Sequence, residues 1–447
     1  MSADPVSRRA FLGAVTAVPA VVTAAAWPAQ APGSTTQRQA AERRLADYSL
    51  AELRALYRRD LFDDYLPFVD RYVFDQEHGG FMCEVALDGR RISTNKSCWY
   101  DGRGLWAHAF LYNHFGRDPQ QLEISRKTAE FLLRTQPSGT DGLWPRTYTR
   151  DGQALLPAAG EIYGDLFVAE GFAEYAAATA EQKYADIARE LVLKCVRLYD
   201  RPDYRPEIGR TYLGPDARPF PGARILGVWM VLLRVCTQML DRRADPEIEV
   251  VARRAVEAIM QHHFNPDFEL FNELLNHDLS RPDNEYAQLV YTGHCLEMLW
   301  MVLHEARRRG DQALFDQVAA RFRRHLGVAW DDVFGGVFRN LQHVERNVWL
   351  TDKVLWAQEE VLIGTLLLVE SGAEWAAAEF SRMYRYVRST YLLNEGGGPT
   401  WMYAGNRRME HASFLAMPRR LENYHHPRHL LLNLRVLDRL AAAEGRR

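Results

Sequence analysis

"ILGVWMVLLRVCTQML" (residues 225–240) and the segment after it, "DPEIEVVARRAVEAIMQHHF" (residues 245–264), together indicate the fold. The first segment is apolar almost all round, which predicts a helix buried on every side. The second keeps its charges on one helical face and its apolar residues on the other, as a half-exposed helix does. Such a pair suggests an inner layer of helices wrapped by an outer one.

The same alternation runs through the chain. The odd-numbered helices as far as the ninth are amphipathic, and the alternating ones, such as "VLWAQEEVLIGTLLLVE" (residues 354–370), are apolar. We therefore predict an all-α fold, a single (α/α)6 barrel with short β-hairpins in the loops at one mouth. The predicted helices span residues 49–73, 96–115, 119–135, 161–179, 181–200, 222–240, 245–263, 285–308, 311–326, 351–371, 373–392 and 427–444.

An internal repeat supports the barrel. "HGGFMCEVALDGRRISTNKSCWYDGRGLW" (residues 78–106) matches "FGGVFRNLQHVERNVWLTDKVLWAQEEVL" (residues 334–362). In each copy a Gly-Gly turn leads to a lysine, with a tryptophan three residues later and a charged residue seven later. Weaker echoes lie at residues 141–153 and 396–408, so we expect these loops at one mouth of the barrel.

The N-terminus reads as a targeting segment. "SRRAFLG" (residues 7–13) carries twin arginines, an Ala/Val-rich stretch follows, and "AQA" (residues 29–31) resembles a cleavage site. We predict a Tat-type signal peptide over 1–31, a flexible leader over 32–45 and a catalytic barrel over 46–447, with export to the periplasm or beyond. The apolar stretch is too short for a stable membrane anchor.

Composition excludes some partners. The 447 residues carry a net charge of -3, so no basic field favours nucleic acid, and a neutral or weakly charged small substrate fits at least as well as a polyanion. The five cysteines include no C-x-x-C pair, which predicts buried thiols. We find no dinucleotide or phosphate-loop pattern and expect no cofactor. Exposed helix faces leave a homodimer open.

"LVYTGHCLEMLW" (residues 289–300) sets His294 and Glu297 three residues apart, on one helical face. Glu297 is expected to accept the imidazole proton and fix its tautomer, which would make His294 a working base rather than a core residue. The inner helices also carry Arg103, Asp165 and Arg428. So many polar groups predict a solvated central pocket, although carboxylates such as Asp165 would also serve as braces for neighbouring cations.

"ENYHHPRHLL" (residues 422–431) crowds three histidines at the start of the last helix. Metal binding by His425, His426 and His429 is one interpretation, but adjacent histidines point in different directions and no carboxylate or Cys completes the set within the motif. We therefore predict no metal site.

Several motifs resemble the N-acylglucosamine 2-epimerase family of sugar epimerases and aldose–ketose isomerases, over roughly residues 50–440. They are "TNKSCWYDGRGLW", "IYGDLFVAEGFAEYA", "GHCLEMLW", "WDDVFGGVF" with "KVLWAQEE", and "YHHPRHLL". Their order and spacing carry the resemblance more than any one motif does.

The resemblance implies a reaction and roles for residues. It implies two acid–base histidines, His294 and His425, that move a proton at C2 of an open-chain sugar through a cis-enediolate. His425 is preferred over His426 because it keeps the spacing to Pro427. Arg103 would hold the sugar oxygens and Glu297 would orient His294. The residues expected to bind the sugar are Lys96, Trp99, Asp165, Trp356, Glu360 and Arg428.

Two other functions stay open at this stage. A glycoside hydrolase or lyase on the same barrel would use paired carboxylates, for which Asp101, Glu161, Asp165 and Glu297 are candidates. A non-catalytic carbohydrate-binding protein would keep the aromatic pocket without the chemistry. Phe167 departs from the family pattern, since many bacterial members have a histidine there, so the particular sugar is undetermined.

Overall fold

A computed structural model describes residues 43–86, 88–157, 161–206, 208, 217–391, 404–405, 407–409 and 420–444. The predicted signal peptide lies outside these residues, as does most of the 396–408 echo. Two residues before the predicted barrel boundary at 46 belong to a strand pair, because Arg44–Leu45 (β1) pairs with Tyr48–Ser49 (β2) and Leu45 is buried.

Twelve helices form within the described residues, as predicted. The first, α1, begins at Leu50–Arg58 and continues through Leu66–Phe68, with π-helical turns at Arg59–Tyr65 and Val69–Val73. The others are α2 (Cys98–His114), α3 (Pro119–Arg134), α4 (Tyr163–Thr179), α5 (Gln182–Tyr199), α6 (Leu226–Leu240), α7 (Pro246–Glu257, extended by π-helical Ala258–His263), α8 (Thr292–Arg309), α9 (Gln312–Ala329), α10 (Leu355–Glu370), α11 (Glu374–Thr390) and α12 (His425–Glu444).

The even-numbered helices form the inner ring. Each contacts the next, from α2 through α4, α6, α8, α10 and α12, and α12 closes the ring on α2. Every residue of Leu355–Val369 in α10 is buried, as all-round apolarity predicts. Helices α2 and α4 approach closely because Gly102 leaves room for the Phe167 backbone, where a Cβ would lie 2.5 Å from the carbonyl carbon.

The odd-numbered helices form the outer ring, each packed on an inner neighbour. Their starts follow the predicted signals. Ser49 and Glu52 make a capping box at α1, and the Asp118 side chain caps α3 ahead of Pro119. The largest difference from the predicted starts is at α8, which begins at Thr292 and not at residue 285, while α6 and α10 each begin four residues later than predicted. The backbone that precedes α8 is held in a bridge in which Val290 N donates to Leu341 O.

Short antiparallel strand pairs occupy the connections that lead into inner helices. The pairs are β3 (Thr147–Tyr148) with β4 (Ala154–Leu156), β5 (Arg224–Ile225) with β8 (Leu274–Leu275), β6 (Phe264–Asn265) with β7 (Leu270–Phe271), β9 (Asn340–His343) with β10 (Val348–Leu350), and β11 (Lys353–Val354) with β12 (Ala404–Gly405). Since inner helices run in one direction, these connections gather at the mouth where the inner helices begin.

The internal repeat is real, but its lysines have a structural role. Lys96 Nζ lies 3.0 Å from Asp75 and donates to Gly79 O at 2.6 Å, with its side chain wholly buried. Lys353 repeats this arrangement with Asp331, at 2.8 Å, and Gly335 O. Although burial alone would raise it, Arg150 and Lys96 hold the pKa of Asp75 well below its usual range. The prediction that Lys96 binds substrate is therefore wrong; it ties a Gly-Gly turn to the start of α2.

The cysteines are buried, as predicted, and all five are free thiols. Among the described residues, no helix has the length and apolarity needed to cross a bilayer.

Candidate active site

The predicted histidines come together at the N-terminal ends of the inner helices. His294 is the third residue of α8, Trp356 the second of α10 and His425 the first of α12. The Trp356 ring centroid lies 6.0 Å from that of His294 and 5.1 Å from that of His425. The two imidazoles, 131 positions apart in the chain, therefore lie near one indole.

The carboxylate on His294 is Glu273. Glu273 Oε1 lies 2.8 Å from His294 Nδ1, and both glutamate and imidazole are largely buried. Glu273 stands between β7 and β8, where Leu226 N donates to its carbonyl at 2.9 Å. The prediction that Glu297 orients His294 is therefore wrong. Although Glu297 lies one turn along α8, its Oε1 accepts a hydrogen bond from Arg428 at 2.5 Å.

His425 belongs to a buried ionic cluster with three partners. Its Nδ1 lies 2.8 Å from Glu360 Oε1, and Arg428 donates to both Glu360 and Glu297 at 2.5 Å. Trp300 Nε1 donates to the other Glu360 oxygen at 2.6 Å. Arg428 and Glu360 were predicted to touch the sugar. In the structure their side chains are fully buried and they hold His425 instead.

Burial dominates the electrostatics of this cluster. It lowers the pKa of His425 to about 3, against the opposing pull of Glu297 and Glu422, so the imidazole is neutral at physiological pH. Burial also raises the pKa of Glu360, and Arg428 limits that rise. A neutral imidazole whose Nδ1–H donates to Glu360 offers a basic Nε2.

Arg103 lines the opposite wall among aromatic rings. Its guanidinium carbon lies 3.9 Å from the Phe167 ring centroid, 4.6 Å from Tyr424 and 5.3 Å from Trp99. Arg103 is buried, yet its Nε has no hydrogen-bond partner among the described residues. An arginine that packs on ring faces keeps its N–H donors in the guanidinium plane, where they stay available to ligand oxygens.

Three further residues, Trp99, Tyr163 and Gly227, connect Arg103 with His294. Trp99 lies 5.4 Å from Tyr163, and Gly227 adjoins both Tyr163 and His294. A Cβ at Gly227 would lie 2.5 Å from the Tyr163 hydroxyl and 3.1 Å from His294 Cε1, so only glycine leaves these groups in place. A single site is therefore surrounded, in this order, by Arg103, Trp99, Tyr163, His294, Trp356, His425 and Tyr424.

Two other predicted residues lie elsewhere or point away. Asp165 is tied to Lys194 at 2.5 Å and accepts from Trp144 N at 2.9 Å, so its predicted role in sugar binding is replaced by that of a brace. His426 turns from His425 toward Glu359, with its Nδ1 2.5 Å from Glu359 Oε1. His425, and not His426, therefore lies beside the Trp356 ring, and the choice of His425 as the second base stays a prediction.

Sequence reasoning missed Glu273. It lies 21 residues before His294, in a loop whose position depends on pairing between β5 and β8. The one signal was a lone acidic residue within "LFNELL" (residues 270–275), an otherwise mostly apolar run. A charge in such a run is costly to bury unless it has a partner.

Comparison with known proteins bears on the family and the fold of the chain. The sequence model of N-acylglucosamine 2-epimerase (GlcNAc 2-epimerase) matches residues 79–426. The N-acylglucosamine 2-epimerase of Homo sapiens is 28% identical over 292 residues, which cover 62% of this chain and 64% of the human protein, just under two thirds of its length.

Two solved structures resemble the fold. The cellobiose 2-epimerase of Bacillus thermoamylovorans B4167 has a TM-score of 0.72 at 16% identity, covering 86% of this chain and 99% of that one. A sugar epimerase from a ruminal bacterium has a TM-score of 0.71 at 15% identity, covering 86% and 98%. Since the family match spans most of the sequence, from the first Gly-Gly turn to the histidine pair of α12, the chain belongs to the N-acylglucosamine 2-epimerase family.

Proposed function

We propose that the protein is a sugar 2-epimerase or aldose–ketose isomerase that moves a proton at C2 of an open-chain aldose. One observation carries the proposal. The Trp356 ring centroid lies 6.0 Å from that of His294 and 5.1 Å from that of His425, and the Nδ1 of each imidazole lies 2.8 Å from a carboxylate oxygen. With Nδ1 engaged, Nε2 is the nitrogen that would meet a substrate carbon acid in both rings.

The chemistry begins at C2, where the adjacent C1 carbonyl acidifies the proton. One imidazole takes that proton, the C–H electron pair becomes the C1=C2 bond, and negative charge collects on O1. If the other imidazole returns a proton to the opposite face of C2, the product is the 2-epimer. If the proton goes to C1, the product is the ketose. The neutral state of His425 suits it to the accepting role.

Arg103 would stabilise the enediolate. Its buried guanidinium, with an Nε that lacks a partner among the described residues, supplies donors for the O1 and O2 oxygens. The Trp99 and Tyr163 rings beside it offer flat apolar surfaces for the sugar faces. Glu273 and Glu360 would balance the charge that His294 and His425 acquire on taking a proton.

The hydrolase alternative is disfavoured because three of its four candidate carboxylates are held by other protein groups. Asp101 accepts from Tyr148 Oη at 2.6 Å and from Phe81 N at 2.7 Å, while Asp165 and Glu297 are held by Lys194 and Arg428. A glycosidase needs two carboxyl groups facing one bond with water between or beside them.

The test is proton exchange in heavy water. N-Acetylglucosamine, N-acetylmannosamine, glucose, mannose and cellobiose are incubated with the protein, and deuterium at C2 is followed by NMR. We expect exchange with conversion in at least one pair. His294→Asn and His425→Asn should each abolish conversion, yet each should still exchange the epimer whose C2 proton faces the remaining imidazole. His277→Asn, at an exposed histidine, is the matched control.

Two results would contradict the proposal. Either histidine variant could epimerise at the wild-type rate, or every sugar in a broad panel could keep its C2 proton. Sugar-dependent thermal stabilisation without exchange would instead support the carbohydrate-binding alternative.

We also propose that the chain is exported by the Tat route, on the strength of Arg8 and Arg9 and the apolar stretch behind them. A fusion of residues 1–45 to a reporter should reach the periplasm of a bacterial host. Arg8→Lys/Arg9→Lys should retain it in the cytoplasm, and equal export of both forms would refute the Tat assignment.

A further inference from the structure

A second polar cluster lies directly behind the catalytic one. It consists of Glu359 on α10 and His426 and His429 on α12, each the near neighbour of an active-site residue. All three side chains are buried, and one ligand atom from each lies within 4.8 Å of the other two. His426 and His429 are three residues apart, which sets both imidazoles on one face of α12. The carboxylate missing from the histidine motif thus comes from another helix.

This cluster contains polar atoms without partners. Among the described residues, Glu359 Oε2 and His429 Nδ1 have no hydrogen-bond partner, although both are shielded from solvent. His429 Nδ1 lies 3.6 Å from Glu359 Oε1, too far for a hydrogen bond. The other nitrogen of His429 is fixed by the Tyr57 hydroxyl at 2.9 Å. Buried atoms left unpaired in this way are costly and point to a missing ligand.

The charges call for a cation. The Glu359 carboxylate is buried, and its described contacts are His426 Nδ1 at 2.5 Å and His429 Nδ1 at 3.6 Å. In the neighbouring cluster Arg428 supplies the positive charge for two carboxylates. No arginine or lysine is among the described ion-pair partners of Glu359.

We infer that Glu359, His426 and His429 bind a divalent transition-metal ion, and that Zn²⁺ fits the set best. Two imidazole nitrogens and a carboxylate are a common zinc ligand set, with ligands about 2.0–2.2 Å from the ion. An ion at that distance would replace the short His426–Glu359 hydrogen bond and engage the unpaired His429 Nδ1. The Tyr57 hydroxyl would orient His429 from the far side of the ring, as outer partners of metal-bound histidines do.

The ion would fasten α10 to α12 immediately behind Glu360 and His425. Its role would be to hold these helices in register, which goes beyond the proposed reaction and does not depend on it. The site can therefore be tested by metal binding alone, without any sugar.

The experiment uses the full chain. After chelator treatment, Zn²⁺ is titrated by calorimetry and bound metal is counted by mass spectrometry; Co²⁺ loading then reports coordination through its visible d–d absorption. We expect one equivalent of metal per chain and a metal-dependent rise in thermal midpoint. Glu359→Gln and His429→Asn should weaken binding at least tenfold, and Tyr57→Phe about 10–100-fold. His277→Asn should bind like wild type.

The proposal is overturned if the wild-type chain binds no metal, or if the ligand variants bind it as tightly as the wild type does. Should a variant fail to fold, X-ray absorption of the Zn²⁺-loaded wild type decides. Nitrogen and oxygen ligands with imidazole scattering support the site, whereas a sulfur shell would assign the ion to a cysteine.

Discussion

Replacing Arg428 by Met removes the positive charge that two buried carboxylates share. The guanidinium lies 2.5 Å from both Glu297 and Glu360 and is wholly shielded from solvent. Methionine is unbranched and fills irregular space, so the change is chiefly one of charge. Breaking a buried ion pair from one side costs about 3–5 kcal/mol, because the abandoned charge stays buried. We expect the free energy of unfolding to fall by about that amount.

The matched control is Arg439→Met on the same helix. Arg439 pairs with Glu370 at the surface, where such pairs contribute about 0–1 kcal/mol. Urea unfolding followed by tryptophan fluorescence gives both values. The loss in free energy of unfolding caused by Arg428→Met should become smaller as the pH falls, because either Glu297 or Glu360 then takes a proton in the folded state. Adding Glu297→Gln and Glu360→Gln should recover part of the loss. If the Arg428 and Arg439 variants lose the same small amount, the ionic cluster does not hold His425 as described.

Three further predictions follow from single contacts. Glu273→Gln should lower kcat by about 10²–10⁴-fold with a smaller change in KM, since it removes the charge beside His294; initial rates on the best sugar measure this, and a change confined to KM would contradict it. Lys96→Met should lower the midpoint of urea unfolding and leave the KM of the folded enzyme unchanged, because Lys96 neutralises buried Asp75. A raised KM with an unchanged midpoint would instead indicate that Lys96 binds the sugar. His425 should stay neutral well below pH 6, because burial favours the uncharged ring; labelled-histidine NMR, assigned with His425→Asn, would disprove this by a midpoint near 6.5. Since the unfolded ring titrates near 6.5, this histidine weakens folding as the pH falls from there toward about 3.

The distribution of apolar and charged residues along each helix predicts the barrel well, because inner and outer helices have different distributions. A helix such as α10, buried along Leu355–Val369, cannot carry a charged stripe, whereas its outer neighbours must. Capping residues mark the starts of α1 and α3 just as reliably, since the first backbone N–H groups need acceptors. The place of His425 at the start of the last inner helix follows from its motif, whereas the predicted helix start at residue 285 sets His294 well inside α8 and not near its first residue.

The pairing of charges is harder to predict than their position. Glu297 is one turn from His294 along α8, yet it accepts a hydrogen bond from Arg428 on α12. The carboxylate that contacts His294 belongs to Glu273, whose loop is positioned by a strand pair. Likewise, Lys96 meets Asp75 because a Gly-Gly turn folds back. Helical spacing gives neighbours on one element only. Partners between elements depend on loop geometry, which the sequence encodes weakly.

Under the proposed reaction, an anionic enediolate would form close to several glutamates. Glu273, Glu297 and Glu360 each have a cation or an imidazole within hydrogen-bond distance. The Arg103 guanidinium lies among the rings of the same site, and the inner helices begin at this mouth, so their dipoles present positive ends there. These groups would stabilise the enediolate in spite of the nearby carboxylates. By this reasoning the proposed proton transfer depends on the direction of the inner ring as much as on the two imidazoles, because a barrel with inner helices reversed would turn negative helix ends toward the same intermediate.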